Sequence, residues 1–105
     1  MNIMQIMKQA QSMQAKLKTT QEELAKMELV GESGGGAVVV TCDGQGKFKS
    51  IKLSPDCAAG LSSDDREMLE DLITTAINSA TDKAMKEMEA KMKQATGGIN
   101  IPGLF

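Results

Sequence analysis

The chain has 105 residues, a net charge of −2, nine Met, two Phe, and no Trp, Tyr or His. A length of this kind makes one domain, and its core must be aliphatic and Met-rich. The composition argues against a globally basic nucleic-acid binder, against an aromatic platform for single strands, and against a zinc site built from Cys42 and Cys57 alone.

Residues 3–27 have the spacing of a helix. Ile3, Ile6, Ala10, Met13, Leu17, Thr20, Leu24 and Met27 recur three and four apart without a break, which is a heptad seam. Both the apolar face of a core helix and a seam for a second helix, in the same or another chain, fit that spacing. At about 1.5 Å per residue the helix is roughly 35 Å long. Residues 1–21 hold Lys8, Lys16 and Lys18 and no acid.

Residues 28–53 change to a period of two. Glu28–Ser33 reads as a strand, Gly34-Gly35-Gly36 as a turn, and Ala37–Cys42 as a second strand with Val38-Val39-Val40. Asp43-Gly44-Gln45-Gly46 is a hairpin turn, and Lys47–Leu53 is a third strand with Lys47, Lys49 and Lys52 exposed. Strands of this length span about 20 Å, so both helices must overhang the sheet. Ser54-Pro55-Asp56 ends the sheet, and residues 56–62 read as a loop.

A second helix runs from Ser63 to Gln94. Ser62 or Ser63 supplies the N-cap, and Asp64, Asp65 and Glu67 suit the positive end of the helix dipole. Leu69, Leu72, Ile73, Ala76, Ile77, Ala80, Ala84, Met88 and Met92 form one apolar stripe. Gly97 and Gly98 stop the helix. The half from Leu69 to Ala80 is expected to cover the sheet, and the half from Lys83 onward to project as an arm. Residues 96–105 read as an extended or flexible tail carrying Ile99, Ile101, Leu104 and Phe105.

Charge is polarised along the chain: residues 1–27 hold four Lys against two Glu, residues 54–82 seven acids against one Arg, and residues 83–105 four Lys against two Glu. The opening alternates polar and apolar residues, so no secretory leader is expected. No run approaches the ~18 apolar residues of a membrane span. The expectation is a soluble cytoplasmic protein with free thiols.

Motifs for catalysis do not fit. The Gly31–Gly36 stretch lacks the Gly-Lys-Ser/Thr ending of a phosphate-binding loop, and Gly44-Gln45-Gly46 lacks the third glycine of a dinucleotide fingerprint. Cys42 alternates with Val38 and Val40 as a core residue, and Cys57 has no basic neighbour to activate it. Neither enzyme activity, nor a cofactor, metal or small-molecule substrate is expected.

The lysines are the remaining chemistry. Asp82–Lys86, Glu87–Lys91 and Glu89–Lys93 stand at i, i+4 in the favourable order, which suits a self-paired solvated helix. Lys18 has Glu22. Lys8 and Lys16 have no such partner and lie among Gln5, Gln9, Gln11, Ser12, Gln14 and Thr19, groups suited to phosphate oxygens. If the two helices pack antiparallel across the sheet, both Lys-bearing segments meet at one overhanging tip.

Several segments in order carry a resemblance: Met4–Lys18 with Met7-Lys8-Gln9-Ala10-Gln11, Gly31-Glu32-Ser33-Gly34-Gly35-Gly36-Ala37-Val38, Lys49-Ser50-Ile51-Lys52-Leu53-Ser54-Pro55, Asp64-Asp65-Arg66-Glu67-Met68-Leu69-Glu70-Asp71-Leu72-Ile73 and Pro102-Gly103-Leu104-Phe105. Together they resemble the YbaB/EbfC family of bacterial nucleoid-associated proteins over nearly the whole chain. Val39 departs from the basic or polar residue that the family implies there. The resemblance implies an α+β fold of order α-β-β-β-α, with a three-stranded antiparallel meander and two long overhanging helices in a tweezer-like homodimer. It also implies binding to double-stranded DNA, a nucleoid location, and roles in nucleoid organisation and gene regulation. Lys8, Lys16 and Lys18 are the first candidates for phosphate contacts, and Lys83, Lys86, Lys91 and Lys93 the second. The alternative is a helical protein–protein interaction module without DNA binding.

Overall fold

A computed structural model describes residues 2–59 and 61–97. Helix α1, Ile3–Lys26, starts where the Asn2 side chain accepts a hydrogen bond from the Gln5 backbone N–H at 2.8 Å. Capping of this kind satisfies one of the helix's orphan donors. The absence of Gly and Pro lets α1 run unbroken to its end. Strand β1, Leu29–Ser33, follows, then a 3-10 turn at Gly34–Gly36 and strand β2, Val38–Cys42. All three turn glycines have positive φ (62°, 66° and 95°), where other residues are strained.

Asp43 closes the next hairpin: its Oδ1 accepts from the Gln45 and Lys47 backbone N–H groups at 2.8 and 2.9 Å. Strand β3, Phe48–Leu53, completes an antiparallel meander of order β1-β2-β3. The sequence placed each strand to within one residue. Residues 56–62, expected as loop, instead begin inside a short helix α2, Pro55–Ala58, because Pro55 fits a first helical position and Ser54 caps it. Helix α3, Ser63–Ala95, opens with a capping box between Ser62 and Asp65 and is roughly 50 Å long at 1.5 Å per residue.

The core lies between α3 and two of the strands. Val38, Val40 and Cys42 of β2 are buried against Ala76, Ala80 and Ala84, with Leu69, Leu72, Ile73 and Ile77 packed around them. The Ser33 hydroxyl donates to the Leu72 carbonyl, and the Cys42 thiol to the Ala80 carbonyl at 3.7 Å, tying sheet to helix. Alanines on this face let α3 lie close to the sheet.

Helix α1 does not lie across the sheet. At the sheet end it meets the β2–β3 hairpin, where Gly44 N–H donates to the Leu24 carbonyl at 2.8 Å, and further out it packs along the second half of α3. Helix α3 occupies the buried face of the sheet over β1 and β2. The result is elongated, with extents of 70 × 22 × 17 Å. A radius of gyration of 19.5 Å compares with about 13 Å for a compact chain of this length.

Candidate nucleic-acid interface

The arm is built from α1 and the second half of α3, running antiparallel. One ion pair crosses between them, Lys91 Nζ to Glu23 Oε2 at 3.2 Å. From there the α3 chain runs outward to Ala95 while α1 runs outward in the opposite chain sense, toward its own start. Ser12, Lys16, Thr19 and Glu23 of α1 face Lys91 and Gln94 of α3 across an open groove of ≈ 420 Å³. Lys8, Ser12, Lys16, Thr19 and Glu23 recur four, four, three and four apart, which puts them on one side of α1.

Helix α1 continues past the end of α3. Every residue from 2 to 12 is exposed, and Met13 is the first that is half-buried. Lys8 stands on this overhang and Lys16 at the groove below it. Lys18 is exposed but lies roughly 130° around the helix from the middle of the groove face. Of the seven candidate lysines the structure brings together Lys16 and Lys91 at the groove, with Lys8 about two turns further out on the same side of α1.

The other four are distributed differently. Lys83 lies at the sheet, where its Nζ donates to the Val30 carbonyl at 2.6 Å. Lys86 and Lys93 are exposed along the arm. The Asp82–Lys86, Glu87–Lys91, Glu89–Lys93 and Lys18–Glu22 pairs expected within the helices are not formed. Among the described residues Lys91–Glu23 is the one ion pair. Exposed pairs along a helix gain only about 0.3–0.5 kcal/mol, too little to hold two long side chains together. Glu23 was not singled out in the sequence, although the polar row at three-and-four spacing leads to it.

Two further features have a structural role. Asp43 is buried but consumed by its own hairpin turn. Burial pushes the Cys42 thiol above its ordinary pKa, with Asp43 adding to the effect and Lys49 partly opposing it, so the group stays protonated. No group of three or more potential metal ligands is clustered among the described residues.

The chain is α-β-β-β-α in its main elements, with a polar, lysine-bearing helical arm on its outer surface. The chain belongs to the YbaB/EbfC DNA-binding family, whose model matches residues 1–99. It is 46% identical over 105 residues to a nucleoid-associated protein of Clostridium novyi (strain NT), covering 100% of this chain and 90% of that protein. It is 42% identical over 97 residues to a nucleoid-associated protein of Pseudomonas fluorescens (strain Pf0-1), covering 92% of this chain and 87% of that protein. A crystal structure of an uncharacterized protein from Helicobacter pylori superposes with a TM-score of 0.81 at 18% identity, covering 92% of this chain and 99% of that one. That likeness bears out the fold. The family is defined by DNA binding and is not an enzyme family.

Proposed function

We propose that this chain is a nucleoid-associated protein that binds double-stranded DNA mainly through its phosphates, with little sequence specificity. The observation that carries the reading is the acid-free outer half of α1. Over residues 2–21 the helix presents Lys8, Lys16 and Lys18 with Gln and Ser side chains and no carboxylate. Such a surface offers cations and hydrogen-bond donors to phosphate oxygens. The lysines of α3 are second: Lys83 is held at the sheet and Lys91 by Glu23, while Lys86 and Lys93 are exposed. Low specificity suits a role in organising the nucleoid in the cytoplasm and, through occupancy of DNA, in modulating expression.

The active species in this reading is a homodimer. The accessible surface is 7476 Å². A compact monomer of this mass has about 5,700 Å². Part of the excess is apolar and sits on the core face itself. Phe48, Ile51 and Leu53 of β3 stand opposite Cys42, Val40 and Val38 in the ladder, so they share that face. Helix α3 covers β1 and β2 and leaves them 42%, 51% and 39% exposed. A second copy that seats its own apolar surface on this row completes both cores and gives two arms, hence two basic tips.

The test is a gel-shift salt series with random and defined duplexes. Lys8→Ala with Lys16→Ala is expected to weaken all sequences about equally and to lower the salt slope by roughly 0.9 per lost phosphate contact. Unchanged affinity at low salt would remove these two residues from the interface. Absence of salt-dependent binding by the unaltered protein would favour the protein–protein module instead.

A further inference from the structure

The seam of α1 is apolar at every position but one. Between Leu17 and Leu24 it carries Thr20, which is 7% exposed. A valine has nearly the same shape and would fill this place without burying a hydroxyl, which is unfavourable when nothing bonds to it. Three polar side chains are buried among the described residues: Thr20, Asp43 and Thr96. Asp43 is bonded in its hairpin, and the Thr96 hydroxyl donates to the Met92 carbonyl at 3.0 Å. Thr74 and Thr75 likewise donate to the carbonyls four residues back, at 3.0 and 2.9 Å. Thr20 makes no such bond, and among the described residues its hydroxyl has no other partner. The described residues end at Gly97, so the expected tail lies outside them from residue 98 on.

None of the described side-chain oxygens is both sealed from solvent and unpartnered. The small open part of Thr20 therefore includes its hydroxyl, and the surface it opens on is the groove between α1 and α3. That groove gathers donors around it. Lys16 stands one turn before Thr20, Thr19 lies beside it, and Lys91 and Gln94 face them from α3. One carboxylate, Glu23, also lines the groove and accepts from Lys91 at 3.2 Å. The ammonium of Lys91 keeps two further N–H donors beside that bond. Two ammonium groups against one carboxylate leave the groove net positive. Its volume of ≈ 420 Å³ falls within the range of about 300–1,000 Å³ for small-molecule sites, room for an oxyanion and the group that carries it.

We propose that this groove seats a phosphate group, with the Thr20 hydroxyl donating to one of its oxygens and Lys16 and Lys91 neutralising its charge. A backbone phosphodiester of duplex DNA and a small phosphate ester offer the same chemistry. The duplex as the source rests on the DNA-binding reading, and the site itself does not. A duplex phosphate seated here makes the groove, and not the outer side of α1 alone, part of the interface.

Thr20→Val and Thr20→Ser in the full chain test it, read by duplex affinity over a salt series and by amide chemical shifts during titration with inorganic phosphate at constant ionic strength. Phosphate is expected to move the amides of residues 16–20 and 91–95 of the unaltered protein saturably and to leave those of β2 in place. The valine variant is expected to lose that response and to bind duplex roughly tenfold more weakly, the loss of one charge-assisted hydrogen bond. Its salt slope should not change, because a hydroxyl releases no counterion. The serine variant keeps the hydroxyl and is expected to recover both readouts. A phosphate response with unchanged duplex affinity in Thr20→Val makes a small phosphate ester the source. Weaker duplex binding without a phosphate response makes it the backbone diester. Absence of salt-dependent duplex binding by the unaltered protein ends the DNA-binding reading, and the phosphate titration then decides the site by itself. Thr20→Val matching the unaltered protein in both readouts overturns the proposal, as does an equal loss in the valine and serine variants, which would make Thr20 a packing residue.

Discussion

Gly31 stands where sheet and helix come closest. A methyl group there would fall 2.2 Å from the Ala76 carbonyl oxygen and 2.6 Å from the Ala80 nitrogen, both backbone atoms that cannot step aside. Gly31→Ala is therefore expected to cost about 3 kcal/mol, since overpacking against a rigid neighbour is not relieved by side-chain rotation. Urea denaturation followed by circular dichroism measures it. This role was not legible in the sequence, because Gly31 merges with the glycines of the following turn and the residues it meets lie some 45 positions away in the chain. Cys42, by contrast, was legible from its alternation with Val38 and Val40. Its raised thiol pKa also has a consequence for stability. In the unfolded chain the thiol ionises in its ordinary range near ~8.5, while burial holds the proton in the folded one. The unfolded state thus binds fewer protons at alkaline pH. The contribution is complete below the ordinary thiol range and is lost as pH rises toward the folded value. The urea midpoint is expected to fall between about pH 7.5 and about pH 9.5, and to fall less in Cys42→Ala. An identical fall in both proteins would assign the alkaline loss to other groups.

The elements were read well where a local signal ends them, and less well where their placement depends on packing. Ser62 and the hairpin Asp43 each cap or turn the chain with their own side chains, so the starts of α3 and β3 followed from single residues. The position of α1 did not follow. A seam at three-and-four spacing says that a face is apolar, but not whether a sheet or a helix covers it. The electrostatics of α3 changed for the same reason. Pairing by i, i+4 spacing tied Lys91 to Glu87, whereas α1 brings Glu23 to within 3.2 Å of it. The side chains of Lys91 and Glu23 are 32% and 51% exposed, which limits the pair to less than about 1 kcal/mol of stability. In the proposed DNA complex Glu23 is an acid beside the phosphate path that also occupies a lysine. Glu23→Gln is expected to leave the urea midpoint almost unchanged and to tighten DNA binding severalfold at low salt, with a steeper salt dependence as Lys91 becomes available. Lys83→Ala is expected to leave the salt slope unaltered, because Lys83 is held at the sheet by the Val30 carbonyl, well away from Lys8. If Lys83→Ala weakened binding as much as Lys8→Ala, the DNA path would have to run along the sheet rather than the tip.

At the scale of the whole molecule, length arithmetic carried most of the information. Helices of roughly 35 and 50 Å cannot be covered by strands of about 20 Å, and the observed 70 Å extent is the direct result. What the sequence did not reveal is which apolar surface stays open. Phe48, Ile51 and Leu53 look like core residues in a strand, and in one chain they are core residues without a cover. Their exposure follows from α3 lying over β1 and β2, a tertiary choice enforced by Gly31 and the alanine face. A second copy supplies the missing layer if the apolar row is the contact. Ile51 is at its centre and the most exposed of the three. Ile51→Lys puts a charge in that contact with no carboxylate opposite it in the ladder, since its β2 neighbour is Val40. Burying an unpaired charge costs several kcal/mol, enough to raise a dimer dissociation constant by roughly a hundredfold or more. In the monomer the same lysine is solvated at a strand edge and costs little. The expected outcome is a shift from dimer to monomer mass in sedimentation equilibrium, with the fold retained by circular dichroism. DNA affinity should fall with it, because two tips on one duplex bind with an effective concentration that one tip lacks. That fall should occur even though the variant gains a positive charge. A dimer that survives Ile51→Lys with Phe48→Ser would move the interface off β3, and a monomer that binds DNA as tightly as the unaltered protein would separate DNA binding from dimerisation.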